Sequence, residues 1–208
     1  MNTSRFQRRP IRGFTLVELL VVIAIIIVLA AMGLSVGANA IKKARMLQDK
    51  STATNLAIAI GKYYQDYGYY PEIDGNAGDA DTTTQSDATL MNTLLAFGTD
   101  GRANNPSGTV YFSGSRARGS TAAKAYRGLF HTGTSHVELF DAWKKKAPAK
   151  RHFQVAMDTN HDGKLFDPFD RGVIIHGIPV LVWSTGKDGE DASTGANDPK
   201  NRDNSQSW

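Results

Sequence analysis

A single carboxylate lies inside the longest apolar stretch of the sequence. Residues 14–36 carry Glu18 as their only charged side chain, and residues 19–32 contain no strongly polar side chain. A carboxylate costs roughly 2.5–3.5 kcal/mol at the centre of a membrane-spanning helix and less near the interface. A segment that served only as a membrane tether would not contain this acid, so Glu18 is a candidate for a specific ionic role.

A second candidate is a group of oxygen ligands in the loop 158–163. Positions 1, 3, 5 and 6 of an EF-hand loop are matched by Asp158, Asn160, Asp162 and Gly163. Such carboxylate and amide oxygens suit calcium, but position 12 is Phe169 where an EF-hand has a bidentate glutamate. The alternative is a polar hairpin turn between two strands, which the missing glutamate favours.

No arrangement typical of an enzyme is visible in the sequence. The chain has no cysteine, which excludes thiol catalysis and a disulfide framework. Its five histidines lack metal-ligand spacing, and Gly186-Lys187 lacks the preceding glycine of a phosphate-binding loop. We therefore predict that the protein is not an enzyme and that its histidines lie at the surface or in strands.

The apolar segment that holds Glu18 is long enough to cross a membrane. Residues 14–36 form a run of 23 residues, and a helix rises about 1.5 Å per residue across about 30 Å of hydrocarbon. Residues 1–13 contain four arginines and no acid, which predicts a cytoplasmic N-terminus. A secretory signal peptide cleaved after Ala40 is the alternative, although the run exceeds the usual length of about 7–15 apolar residues.

The remaining pattern predicts an α+β fold. No proline interrupts residues 38–70, and the apolar spacing around Leu56 and Ile60 predicts a helix that continues to about Tyr67, with Gly68 just beyond its end. Asp87 predicts the cap of a short helix over 88–97. Residues 72–87 are predicted to be loop, and short strands are predicted at 109–112, 153–157, 173–175 and 178–183.

The charge balance argues against a nucleic-acid partner. The chain has 24 Lys and Arg and 20 Asp and Glu, for a formal net charge of +4. The four arginines of residues 1–13 account for the whole excess, which leaves 20 basic and 20 acidic residues after them. Because a nucleic-acid surface needs a basic excess in the folded domain, we predict no nucleic-acid partner.

Residues 8–36 resemble the N-terminal segment of type IV prepilins, with Gly13 followed by Phe14-Thr-Leu-Val-Glu18 and an apolar run. The resemblance implies that an inner-membrane prepilin peptidase cleaves between Gly13 and Phe14 on the cytoplasmic side. It implies N-methylation of the new Phe14 amine. It also implies that the Glu18 carboxylate pairs with the N-terminal amine of a neighbouring subunit when the helices pack into a filament.

The C-terminal region resembles the ending of the major pseudopilin of type II secretion. Ser184-Thr-Gly-Lys-Asp-Gly189 and a polar tail that ends in Trp208 are similar to the calcium-binding loop of that family. Carried over to this chain, Asp188 and Asp203 match the carboxylate ligands and Thr185 supplies a backbone carbonyl. The loop 189–202 is longer than usual, and the remaining ligands could come from Glu190, Asp191, Asp198 or Asn201.

As a whole, the resemblance implies a type IV pilin-like fold, in which one long N-terminal helix packs on a small antiparallel sheet. The expected divisions of the chain are a leader at 1–13, a transmembrane half-helix at 14–36, a periplasmic half-helix at 37–70 and a head at 71–208. The expected location is the bacterial inner membrane, with a single pass and a periplasmic head.

The function that the resemblance implies is that of a structural subunit of a type II secretion pseudopilus. Its implied partners are further copies of the chain, minor pseudopilins, the prepilin peptidase, the inner-membrane assembly platform and the membrane itself, and its implied cofactor is calcium. One alternative is a type IV pilus subunit for adhesion, motility or DNA uptake. The other is a secreted soluble binding protein released after Ala40.

Overall fold

The computed structural model describes residues 13–71, 81–145, 151–195 and 197–208, without the side chains of residues 33–36. Residues 1–12 of the predicted leader and residues 72–80 of the predicted loop lie outside the described residues. The chain divides into two compact units, residues 1–42 and residues 43–208.

The longest element is helix α1, which spans Leu16–Tyr67 and contains 52 residues. It ends where the sequence predicts, because Gly68 has a φ of 75°, a left-handed conformation that glycine adopts without steric cost. Within residues 43–208, Leu56, Ile60 and Tyr63 of α1 are fully buried, as their helical spacing predicts.

Two short helices follow along the chain. Helix α2 spans Ala88–Leu95, and the Asp87 carboxylate caps it by accepting hydrogen bonds from the backbone N–H groups of Thr89 (3.0 Å) and Leu90 (3.4 Å), as predicted. Helix α3, Gly98–Asn104, was not predicted. Single 3₁₀ turns lie at Ala122–Lys124 and Pro199–Asn201.

The described strands form one antiparallel sheet and two hairpins. The strands are β1 (Thr82–Gln85), β2 (Gly128–Thr132), β3 (His136–Phe140), β4 (Gln154–Met157), β5 (Lys164–Asp167), β6 (Asp170–His176), β7 (Val180–Ser184) and β8 (Ser205–Gln206). The order of strands in the sheet is β1-β4-β7-β8, while β2 pairs with β3 and β5 pairs with β6. A long helix followed by a small antiparallel sheet confirms the predicted α+β, pilin-like fold.

Both faces of the two central strands of the sheet, β4 and β7, are buried. Side chains alternate between faces along a strand, so one face of β4 and β7 packs with α1 and α2 and the other packs with the β5–β6 hairpin. The first face presents Val155, Met157, Val180 and Val182. The second presents Ala156, Leu181 and Trp183, which pack with Leu165, Phe169 and Trp208.

Two local predictions are wrong. The predicted loop 72–87 contains strand β1, whose sequence Thr-Thr-Thr-Gln has the branched side chains that suit a strand but no apolar residue to mark a buried face. The predicted strand 109–112 is irregular, and the Tyr111 N–H donates to the carbonyl of Leu94 in α2 (2.8 Å). Val110 is 62% exposed there, so this segment covers the end of α2 without entering a sheet.

Candidate functional site

At the start of α1, the Glu18 side chain folds back and contacts Thr15, the residue that precedes the helix. The Glu18 carboxylate accepts hydrogen bonds from the Thr15 N–H (2.9 Å) and the Thr15 hydroxyl (2.8 Å), and the Thr15 Oγ1 accepts from the Glu18 N–H (3.2 Å). These reciprocal bonds form a capping box, which satisfies N–H groups that have no partner within the helix. The Thr-x-x-Glu spacing that signals this capping box is visible in the sequence.

The apolar side chains after this cap are uncovered in the single chain. All the large apolar side chains from Phe14 to Leu29 are exposed, and each residue has at least 45% of its surface accessible to solvent. Among the described residues, α1 is the one helix long and apolar enough to cross a membrane, by length and composition. Gly13 precedes the helix, and a Cβ added there would meet no atom of the described residues within 4 Å.

The turn after β7 and the C-terminal tail meet at Asp203. The Asp203 Oδ2 accepts a hydrogen bond from the Lys187 N–H (2.9 Å), and a Cβ at Gly186 would lie 2.5 Å from the other carboxylate oxygen. Asp203 and Thr185 are buried, whereas Asp188 is exposed and accepts from the Glu190 N–H (2.9 Å). The fold therefore brings Asp203 to the turn that carries the other two predicted calcium ligands.

The residues that could complete this ligand set make other contacts. Glu190 forms an ion pair with Lys200 (2.9 Å), and Asp198 accepts from the hydroxyl of Thr194 (2.6 Å) and the N–H of Lys200 (2.9 Å). Asn201 holds the loop by bonds to both backbone groups of Ala192. Within the described part of the chain, no three acidic, histidine or cysteine side chains gather as a metal group.

The loop that resembles half of an EF-hand connects β4 to β5. Asp158 accepts from the N–H groups of Asp162 (3.1 Å) and Gly163 (3.0 Å), and Asn160 also accepts from the Asp162 N–H (2.9 Å). The Asp162 carboxylate accepts from the Lys164 N–H (2.9 Å). These side chains satisfy the backbone of a tight turn, which is the geometry of the polar hairpin alternative.

A buried ionic network under α1 was missed by the sequence analysis. Asp49 is 1% exposed, and its Oδ1 accepts from the Ala142 N–H (2.7 Å), while its Oδ2 is sealed from water and has no hydrogen-bond partner among the described residues. Nearby, Asp141 binds the Lys145 ammonium (2.5 Å) and the Ser184 hydroxyl (3.0 Å). Two carboxyl groups and one ammonium thus lie buried close to one another.

Burial raises the pKa of both carboxyl groups in this network. Burial and the neighbouring Asp141 raise the pKa of Asp49 to about 7, because a charged carboxylate loses its hydration and faces a like charge. Burial also raises the pKa of Asp141, to about 6, against the lowering effect of Lys145. The sequence did contain a signal, since Asp49 precedes buried Ala53 by four residues and lies on the same helical face as Leu56.

Comparison with known proteins adds information on the N-terminal part of the chain. Residues 8–34 match the family described as "Prokaryotic N-terminal methylation motif". The "Fimbrial protein EcpC" of Eikenella corrodens is 38% identical over 71 residues, which cover 34% of this chain and 46% of that relative. The chain therefore spans less than half the length of this relative. No solved structure matches the chain. The chain carries the N-terminal methylation motif of type IV pilin-like proteins at the start of an α+β fold.

Proposed function

We propose that this chain is a membrane-anchored structural subunit that polymerises into a type IV pilin-like filament. The observation that carries the proposal is the methylation motif at residues 8–34, which opens a 52-residue helix with exposed apolar side chains. Lipid covers such side chains before assembly, and other copies of the helix cover them afterwards. The similarity to a fimbrial protein supports the same proposal.

In this proposal, processing creates the partner of Glu18. A prepilin peptidase cleaves between Gly13 and Phe14, the Phe14 amine is methylated, and that cation pairs with Glu18 of a neighbouring copy. A carboxylate and an ammonium attract each other far more strongly in a low-dielectric environment than in water. The pairing therefore selects staggered helix packing over a free helix in lipid.

Intact mass of the mature protein tests the processing step. Cleavage after Gly13 leaves residues 14–208, which are 195 residues, with one added methyl group. Cleavage after Ala40 leaves residues 41–208, which are 168 residues, and would identify a secreted soluble protein. A mature chain that begins anywhere other than Phe14 would remove the proposed cation and contradict the filament proposal.

The finer assignment is a type II secretion pseudopilus, in which copies extracted from the inner membrane push folded proteins through the outer membrane. The C-terminal resemblance and the absence of a cysteine pair for a terminal disulfide loop support it. Its partners would be minor pseudopilins and the inner-membrane assembly platform. Deletion of the gene should stop export of a periplasmic hydrolase to the medium without loss of surface fibres.

A type IV pilus subunit is the second candidate, because the relative named as a fimbrial protein favours it. This candidate predicts that deletion removes long surface fibres and leaves hydrolase export unchanged. The same deletion strain therefore separates the two filaments, since each result contradicts one of the assignments.

We also propose a structural calcium ion at the junction of the turn and the C-terminal tail, held by Thr185, Asp188 and Asp203. The burial of Asp203 against the turn supports it, because a cation there would fix a tail with little apolar surface of its own. Calcium would have to displace the backbone N–H groups that Asp188 and Asp203 now bind.

Thermal unfolding with calcium or with a chelator tests this ion. Calcium should raise the unfolding temperature of the unmodified chain and have no effect on Asp203→Asn. The matched control is Asp162→Asn in the loop between β4 and β5, which should keep the response. A response abolished by Asp162→Asn and retained by Asp203→Asn would place the ion in that second loop instead.

A further inference from the structure

Charge is unevenly distributed along the chain although the part after the leader is neutral. Residues 14–100 contain five basic and nine acidic residues, whereas residues 101–137 contain five basic residues and no acid. Residues 138–208 contain ten basic and eleven acidic residues. The net charge that argued against a nucleic-acid partner therefore conceals one strongly basic segment.

The fold presents this segment as an ordered loop, here called the basic loop, over residues 113–127. The N–H and carbonyl of Arg118 both bond to Tyr126 (2.9 Å each), so the two residues lie directly opposite each other. Ser115 accepts from the Leu129 N–H (2.9 Å), which continues the pairing beside β2. Backbone hydrogen bonds thus fix the loop on the edge of the β2–β3 hairpin.

This pairing places Arg116 and Arg118 on the same side of the loop. Arg116 and Arg118 are two residues apart in extended chain, so their side chains leave the same side, about 6.6 Å apart along the strand. Tyr126 lies on that side because it opposes Arg118. The Lys124 carbonyl lies against Gly119, where an added Cβ would approach it to 2.4 Å, so the backbone of Lys124 returns close to the residue that follows Arg118.

The side chains of the basic loop are available to a ligand. Arg116, Arg118 and Lys124 are exposed, and none of the ion pairs among the described residues involves them. Exposed hydroxyl groups flank them at Ser113, Ser115, Ser120 and Thr121. Arginine, lysine and hydroxyl side chains are the groups that contact phosphates in nucleic-acid complexes.

The remaining surface of the loop favours nucleic acid over a lipid membrane. Residues 113–127 expose no large apolar side chain that could enter a bilayer, and the aromatic ring beside the arginines is the half-buried Tyr126. A basic surface that tracks a phosphate backbone beside an aromatic ring is typical of single-strand binding, because every base can stack on the ring.

We propose that the basic loop binds single-stranded nucleic acid, with Arg116, Arg118 and Lys124 on successive phosphates and Tyr126 stacked on a base. The contacts carry no sequence information, so binding is independent of base sequence and strongly dependent on salt. This activity goes beyond the filament role, and repeated copies in a filament would raise the apparent affinity without any new contact.

Fluorescence anisotropy of a labelled single-stranded oligodeoxynucleotide of mixed sequence tests the proposal, with the full chain in a non-ionic detergent. Each phosphate contact adds about 0.7 to the slope of log affinity against log salt. The variant Arg116→Gln/Arg118→Gln/Lys124→Gln should therefore lose about 2 from the slope and between about two and three orders of magnitude in affinity at about 50 mM salt.

A matched control removes the same charge elsewhere, by Lys50→Gln/Lys62→Gln/Lys164→Gln at three exposed lysines. The control should keep the slope and most of the affinity. Equal losses in both triple variants, or a wild-type slope near zero, would overturn the proposal because binding would then not depend on this loop.

Two further measurements distinguish the ligand. Tyr126→Leu should weaken binding to the single strand several-fold and leave the weaker binding to duplex DNA unchanged, since duplex bases are not free to stack. Binding of phosphatidylglycerol vesicles without binding of the oligonucleotide would overturn the proposal in favour of a lipid surface.

Discussion

Replacing Asp49 with asparagine should change the way in which the stability of residues 43–208 depends on pH. The Asp49 carboxyl on α1 is buried, and its Oδ2 is shielded from bulk solvent and has no hydrogen-bond partner among the described residues. Burial and the neighbouring Asp141 raise its pKa from 3.8 to about 7. Asparagine keeps the size of the side chain and an acceptor for the Ala142 N–H, but it cannot ionise.

The sign follows from the direction of the pKa shift. An acid whose pKa is higher in the folded state binds its proton more tightly there, so the stability that this proton gives is complete below the unfolded pKa. It is lost as the pH rises through the folded pKa. At about 1.4 kcal/mol per pH unit, the span from 3.8 to about 7 corresponds to at most about 4 kcal/mol. The free energy of unfolding of the wild type should therefore fall between about pH 4 and pH 7.

Asp141 contributes to the same fall, because its pKa is also raised, to about 6. Burial alone raises the pKa of Asp141, and Asp49, whose pKa is higher, is still protonated while Asp141 ionises, so the Asp49→Asn variant should keep the contribution of Asp141. We therefore expect the variant to match the wild type near pH 4, to share the fall that belongs to Asp141, to lack the further fall that belongs to Asp49, and to exceed the wild type above pH 7 by on the order of 1–3 kcal/mol.

Urea unfolding of the full chain in detergent measures this effect, and tryptophan fluorescence reports it because all three tryptophans lie within residues 43–208. Asp100→Asn, at an exposed acid in α3, is the control and should follow the wild-type profile. A wild-type free energy of unfolding that stays constant or rises from pH 4 to pH 7 would refute the reasoning. So would parallel profiles for the wild type and Asp49→Asn.

Three further predictions test the N-terminal helix and the packing of the head. Glu18→Gln should keep the capping box, since glutamine also serves at this position. It should nevertheless reduce filament yield, as Glu18→Val should, because neither side chain carries the charge that would pair with the Phe14 amine. Wild-type yield with glutamine would show that capping alone is needed. Leu56→Ala should lower the free energy of unfolding by about 2–5 kcal/mol, because the side chain is fully buried. Gly101→Ala should lower it by about 1–3 kcal/mol, since the new Cβ would lie 2.2 Å from the Asn92 carbonyl, and urea titration measures both changes.

The parts of the fold that were predictable have local causes that the sequence states directly. The end of α1 at Tyr67 depends on one glycine, the start of α2 on the Asp87 cap, and strands β4 and β7 on runs of apolar residues. Strand β1 was missed because its position depends on its pairing with β4, and a run of threonine and glutamine carries no record of that partner.

The candidate sites also divide into those that the local sequence predicts and those that depend on contacts between distant residues. The order of Gly13, Phe14 and Glu18 is local, so the motif can be recognised without a structure. The meeting of Asp203 with the turn after β7 depends on a contact between residues 16 positions apart, and the sequence suggested it only through resemblance. The basic loop was overlooked because the total charge averages over residues 101–137, which contain five basic residues and no acid.

The two acids of α1 illustrate why residue type alone does not assign a role. Glu18 lies in an apolar sequence but is exposed in the single chain and bonded to Thr15, so its environment becomes low-dielectric only when lipid or another copy covers the helix. Asp49 lies in a polar sequence but is enclosed by its own chain, which raises its pKa without any partner molecule. The ionisation of Glu18 should therefore depend on assembly, whereas that of Asp49 should be the same in the monomer and the filament. A pH profile of head stability that changed on polymerisation would show that Asp49 also senses its neighbours.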